Sequence, residues 1–408
     1  ERAANWPKGG RRPTRVPGRI MARMTSRERV LLALDHKEPD RVPLDYTADQ
    51  EVTDALCRRL GLPDAERLMQ RFHVDIRRVG MPLISFRQSA GGETAISCGA
   101  DGLTSFRGGF ERALPDGSVE NVFGTRRAPR GNLKHAGYPY YNPLAEAETV
   151  ADVDVYLWPN PDDVDYEAVP EMCERASAGG EYATLGGPAC RIFHDAVEMV
   201  GMERFFMLMA GQPEVAAAVI QHVSDYYYEV SKRYLQVARG KLDAIFTVSD
   251  FGTQQDLMVS PAMWRRMVAP HFERIFRLAH QHGVKTVLHS DGAIRRIIPD
   301  LIEIGLDCLN PIQVGAVGMD PASLKAQFGS RLAFHGSVDV QNTLPFGTTE
   351  DVRREIIDRL QTLGPGGGFI LSCSHSLLSD VPPDNIIAMY DTAYECGHYP
   401  NLGRPRAM

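Results

Sequence analysis

The chain lacks any run of 18 uninterrupted apolar residues, so no segment reads as a transmembrane helix. It also lacks an excess of basic charge. Its 45 Lys and Arg stand against 52 Asp and Glu, a net charge of −7. That balance, with a pI near 6.0, argues against a nucleic-acid binder that relies on a broad basic surface. Cysteine is sparse, seven in 408 residues, odd in number and without a framework spacing. Such usage fits reduced thiols in a cytoplasmic protein. No G-x-S-x-G elbow, P-loop or dinucleotide fingerprint stands in a fitting setting. Gly364-Pro365-Gly366-Gly367-Gly368 precedes a strand and reads as a tight turn rather than a phosphate cradle.

What is present is ample material for a core, with 43% hydrophobic residues and a length that suits one large α/β domain. Residues 1–23 carry seven Lys or Arg and no hydrophobic centre, so they read as a disordered basic tail rather than a secretory signal. Helical pattern begins at Ser26, which makes Met21 or Met24 a candidate start, and the domain is placed at 24–408. From there one rhythm repeats: a short apolar run, a polar or Gly-rich ending, an amphipathic helix. The eight candidate strands are 42–46, 75–81, 182–188, 243–250, 285–289, 307–311, 332–336 and 368–373. Apolar strands alternating with helices indicate a buried parallel sheet. Eight such units predict a closed (β/α)8 TIM barrel, ahead of an open doubly wound sheet. Residues 90–160 break the rhythm. Segments 104–109, 113–122 (with the turn Pro115-Asp116-Gly117) and 138–143 read as hairpins and loop, an insertion between the second and third strands that suits a lid or a homodimer contact.

In such a barrel the reacting groups sit where strands end. Here those ends are polar: Asp45 and Tyr46; Asp250 with Gln254; His289 and Asp291; Asn310 with Gln313; His335 with Asp339; Cys373 and His375. Arg191 and His194 follow the third strand. Any one of these is a common helix cap, but six endings on one face favour an active site. His289 and Asp291 are two apart, as are Cys373 and His375, and a strand's period of two lets each pair share a face. Imidazole, carboxylate and thiolate donors together suit a divalent metal, Zn²⁺ first. Cys373 as an apolar filler is the alternative reading.

Several segments resemble the uroporphyrinogen decarboxylase superfamily. They are Glu38-Pro39-Asp40-Arg41-Val42-Pro43, His289-Ser290-Asp291-Gly292, Phe334-His335-Gly336, and the stretch from His375 to Pro382-Pro383-Asp384-Asn385. The likeness spans about 24–400 and is strongest from 243 onward. It implies a (β/α)8 barrel, and either a porphyrinogen decarboxylase or a zinc-dependent methyltransferase that exchanges methyl with a corrinoid protein or a thiol. The decarboxylases carry an arginine-rich stretch soon after the opening signature. Here residues 44–51 contain no arginine, and acidic side chains cannot clamp carboxylates. The methyltransferases place zinc on an H-x-C motif after strand five and a cysteine after strand eight. The matching positions here are His289, Asp291 and His375, a harder set that also suits Fe²⁺ or Mn²⁺.

The resemblance implies a metal held by His289, Asp291 and His375, with Cys373 nearby, and a methyl group passed from a small methyl donor to a corrinoid (cobalamin) on a partner protein. No D-x-H-x-x-G run marks a cobalamin domain in the chain itself. Asp250, Asp339 and His335 are the expected proton-handling groups. Asp45, Tyr46, Gln254, Asn310 and Gln313 are the expected substrate contacts. Two rivals stand beside this reading: a metal-free decarboxylase of a small acid using His375 and Asp250, and a binding barrel without turnover.

Overall fold

A computed structural model describes residues 24–82, 84, 111–127 and 139–404. The basic tail at 1–23 and the expected hairpin at 104–109 lie outside the described residues. Seven parallel strands form one curled sheet: β1 (Ile76–Val79), β5 (Ala183–Gly186), β6 (Ala244–Val248), β7 (Lys285–His289), β8 (Cys308–Asn310), β9 (Ala333–Val338) and β10 (Phe369–Cys373), in that spatial order. Helices return the chain between them, as the repeated rhythm requires.

The expected first strand at 42–46 is present as a closing segment rather than a regular ladder. Leu371 N–H donates to Pro43 O and Asp45 N–H to Leu371 O, while Asp75 N–H donates to Leu44 O. The segment therefore lies between β10 and β1 and closes the cylinder. Its irregularity has a local cause. Pro43 has no N–H to give, and Leu44 N–H goes to the Asp75 carboxylate at 2.8 Å instead of to a backbone carbonyl.

Alternation along the strands sorts side chains into a lumen and an outer layer. Ile76, Ala183, Leu185, Ala244, Phe246, Val287, Cys308, Ala333 and Ile370 fill the lumen, and Val30 and Leu34 of the helix Ser26–Leu34 plug its lower end. The neighbouring positions, such as Leu288, Leu309, Phe334 and Leu371, pack outward under the helices. Two residues above Ile76, Val287, Cys308, Ala333 and Ile370 stand Arg78, His289, Asn310, His335 and Ser372, which places polar groups in the upper lumen.

The insertion contains a small antiparallel sheet, β2 (Glu111–Ala113), β3 (Val119–Asn121) and β4 (Arg126–Arg127). Its turn is held by Asp116, whose carboxylate accepts from Ser118 N–H at 2.9 Å. The Arg127 guanidinium joins β4 to Glu111 of β2 at 2.7 Å and ties the sheet to Glu198 of the helix Ile192–Val200. The six described cysteines are free thiols. Among the described residues no helix is long and apolar enough to cross a membrane.

Burial holds His36, His73, His271 and His335 below the ordinary histidine range, His271 down to about 4. A histidine depressed on folding takes up its proton more readily in the unfolded chain, so acid favours unfolding between the folded value and about 6.5. Urea midpoints are expected to fall between pH 7.5 and pH 5, with His271→Gln flattening part of the slope. A midpoint that rises over that interval contradicts this account.

Candidate active site at the barrel mouth

β7 ends at His289, and the chain turns through Ser290, Asp291 and Gly292. The turn is tightly held. Gly292 has φ +88°, and a Cβ there would lie 2.5 Å from the Gly252 carbonyl, while its N–H donates to Gln313 Oε1 at 2.7 Å. Asp291 N–H donates to Asp250 Oδ1 at 2.9 Å. Gly292→Ala combines left-handed strain with a backbone clash. It is expected to cost about 1–3 kcal/mol in urea unfolding and to displace Asp291; an unchanged midpoint argues against that constraint.

His289, Asp291 and His375 converge, each offering one donor atom within 4.8 Å of the others. His289 Nε2 lies 3.8 Å from Asp291 Oδ2, and His375 Nε2 lies 3.7 Å from the same oxygen. His289 Nδ1 meets Asn310 Oδ1 at 2.7 Å, which puts the ring proton on Nδ1 and turns the Nε2 lone pair toward the carboxylates. Burial pushes Asp291 above the ordinary carboxylate range and the neighbouring Asp250 charge adds to this, against the pull of His289, His375 and His194. Burial acts on Asp250 in the same sense, but His194, His289 and the Asp291 N–H outweigh it and hold Asp250 low. The two carboxylates are thus driven apart, one anionic and one readily neutral.

The other expected site residues divide by position. Asn310 and Gln313 hold the His289–Gly292 turn rather than lining open space. His335 Nε2 lies 2.8 Å from Asp45 Oδ2, both nearly inaccessible, and Arg78 donates to the same Asp45 oxygen. Burial pushes Asp45 up, but the Arg78 charge and the His335 hydrogen bond dominate and hold it anionic. Asp45 and His335 are therefore an internal ion cluster beneath the mouth, not a substrate contact and a proton donor at its surface. Arg78 Cζ sits 5.5 Å from the Phe246 ring centroid, and that ring lies 6.1 Å from the His289 ring.

Four positions fall away from the cluster. Cys373 is the last residue of β10 and points to the outer layer. The expected shared face with His375 fails because the strand ends there and the period of two does not carry through the turn. Its thiol is pushed up to about 12 by burial and approaches Thr47 O at 3.7 Å, which makes it a packing residue. Tyr46 also points outward, bonds to Thr53 at 3.0 Å and packs against Phe72 and Tyr390. Asp339 caps its own turn, accepting from Gln341 and Asn342 N–H. Gln254 is exposed on its loop, where its carbonyl accepts from Val317 N–H.

Arg78 and Glu198 were not among the expected site residues. Arg78 was detectable, since it lies two residues beyond the lumen position Ile76. Glu198 was not, because its role depends on contacts from the insertion.

The family model described as uroporphyrinogen decarboxylase (URO-D) matches residues 134–396. A uroporphyrinogen decarboxylase of Psychromonas ingrahamii is 32% identical over 77 residues, 19% of this chain and 21% of that protein. One from Thermus thermophilus is 25% identical over 209 residues, 50% of this chain and 53% of the relative. The chain thus spans at most about half the length of these curated relatives. A methyltransferase from Methanosarcina mazei shares the fold, with TM-score 0.57 and 16% identity over 91% of this chain and 99% of that one.

Proposed function

The chain belongs to the uroporphyrinogen decarboxylase family, and within it we propose a metal-dependent methyltransferase that moves a methyl group from a small O- or N-methylated compound to a corrinoid on a separate protein. One observation carries this reading: the convergence of His289, Asp291 and His375 at the mouth. The donors fit a divalent ion in kind, two imidazole nitrogens and a carboxylate. Asp291 Oδ1 is buried with no hydrogen-bond partner among the described residues, an arrangement that costs free energy unless a cation answers it. Asn310 on the far nitrogen of His289 supplies the outer support that metal-bound histidines receive.

A divalent ion bound there supplies Lewis-acid polarisation of the methyl-bearing atom. The protein's own groups do the rest. Asn310 fixes the His289 ring, Gln313 holds the Gly292 turn, and Phe246 packs near His289 with ring centroids 6.1 Å apart. Asp250, held anionic, anchors the Asp291 backbone. Methyl transfer to a cob(I)alamin acceptor is expected to vanish on chelation and return with Zn²⁺, Fe²⁺ or Mn²⁺; transfer that persists after exhaustive chelation contradicts the reading. Asn310→Ala is expected to weaken metal binding about 10–100-fold in competition with a chromophoric chelator, and unchanged affinity removes its supporting role.

A carboxy-lyase acting on a small acid without metal is the second reading. The similarity to uroporphyrinogen decarboxylases of Psychromonas ingrahamii and Thermus thermophilus favours it. The absence of arginine at 44–51 and the pairing of Arg78 with Asp45 weigh against it, since carboxylate recognition needs an available guanidinium. Carbon dioxide release that ignores chelators would decide for the lyase.

A further inference from the structure

We propose that His194 is the hydrogen-bond donor to the atom that loses the methyl group, facing the metal cluster across Asp250; this rests on the methyl-transfer reading. His194 lies in the first turn of the helix Ile192–Val200, which starts just beyond β5 and so overhangs the mouth. Its Nδ1 stands 3.9 Å from Asp250 Oδ2, while His289 Nε2 stands 4.0 Å from the other oxygen of the same carboxylate. The two imidazoles therefore flank Asp250, one on the metal side and one opposite. His194 Nε2 stands 3.8 Å from Glu198 Oε1. Both separations exceed hydrogen-bond length, so neither carboxylate holds the ring's N–H, and about a third of the side chain is exposed at the mouth.

The Glu198 carboxylate beside the ring is itself fixed in place. Glu198 is gripped by Arg191 at 3.0 Å on its own helix and by Arg127 from the insertion. Burial pushes Glu198 up, but these charges hold it down at about 2, a permanent anion beside His194. Arg191 also faces Asp195 at 3.7 Å, one turn along, and Tyr227 O–H donates to Asp195 at 2.5 Å. The charged groups around His194 are thus Asp250 from the end of β6, Glu198, Arg191 and Asp195 from its own helix, and Arg127 from β4.

In the transfer the carbon–oxygen bond breaks with its electron pair staying on oxygen. The methyl carbon bonds to the reduced cobalt(I) centre of the corrinoid, which supplies the new pair, and the proton held by His194 goes to the oxygen. For an N-methylated donor, nitrogen takes the place of oxygen.

The test uses the full chain loaded with Co²⁺, whose visible absorption reports binding, and phenol as the probe for the departing oxygen. His194→Ala is expected to take up Co²⁺ with affinity within about twofold of wild type but to bind phenol at least tenfold more weakly, with His194→Gln recovering part of that loss. Equal phenol affinity in wild type and His194→Ala overturns the assignment while leaving the metal site standing. Loss of Co²⁺ binding in both His194 variants also overturns it, because His194 then serves the ion and not the substrate. Failure of the wild type to take up Co²⁺ overturns the metal reading, and the assignment with it.

Discussion

Replacing His289 with alanine is expected to strip the protein of bound metal and of methyl transfer together. His289 is the least exposed of the three donors, with 12% of its side chain accessible against 28% for Asp291 and 40% for His375. It is also the donor with outer support, from Asn310 at 2.7 Å. Outer-shell changes at metal sites typically cost 10–100-fold in affinity, so loss of the inner nitrogen itself is expected to exceed about 100-fold. His375→Ala should follow with a smaller loss, because that ring is more solvated. Cys373→Ser is the informative control. Its thiol packs outward from the lumen and is held protonated by burial, so metal stoichiometry should not change. Metal loss in Cys373→Ser with full retention in His289→Ala would reverse the assignment.

Asp75→Ala is expected to be the most damaging single change to folding. Its carboxylate is fully buried and accepts four hydrogen bonds: from Arg29 at 2.6 Å, from Arg41 at 2.7 and 2.9 Å, and from Leu44 N–H at 2.8 Å. Arg29 and Arg41 expose only 6% and 7% of their side chains. Removing the anion takes a carboxylate partner from each of two buried guanidiniums, Arg29 keeping Asp40, and leaves the closing segment without its anchor. Breaking a buried pair in this way costs about 3–5 kcal/mol. The measurement is the urea unfolding midpoint, and the damage should reach the mouth, because Asp45 leaves the same segment to meet His335 and Arg78. A change below about 1 kcal/mol would mean that Asp75 is not what seals the barrel.

Both effects trace to a feature legible in the sequence only in part. The rhythm of apolar run and helix marks all eight strand positions, because a strand buried on both faces must be almost continuously apolar. The polar endings are visible for the same reason: each interrupts that apolar run. The period of two correctly aligns Val287 with His289 and Cys308 with Asn310 in the lumen. It misplaces Cys373, where the face shared with His375 depends on where the strand stops. The closing segment defeats the pattern differently. Pro43 and the Asp75 carboxylate replace ladder bonds, and a side chain acting as a backbone acceptor leaves no periodic trace. The Arg127–Glu198–His194 connection joins the insertion to the mouth across distances in the chain that no local pattern records. Asp339 shows the limit from the other side, since a carboxylate ending a strand and one capping the next turn have the same local sequence.

The central claim is tested most directly by diffraction from crystals of untreated protein, recorded on both sides of the absorption edge of whichever metal elemental analysis detects. The account predicts one anomalous peak within about 2.0–2.2 Å of His289 Nε2, an Asp291 oxygen and His375 Nε2, with Cys373 Sγ outside bonding distance. A metal-free mouth in protein that turns over, or a peak bound elsewhere, would contradict it.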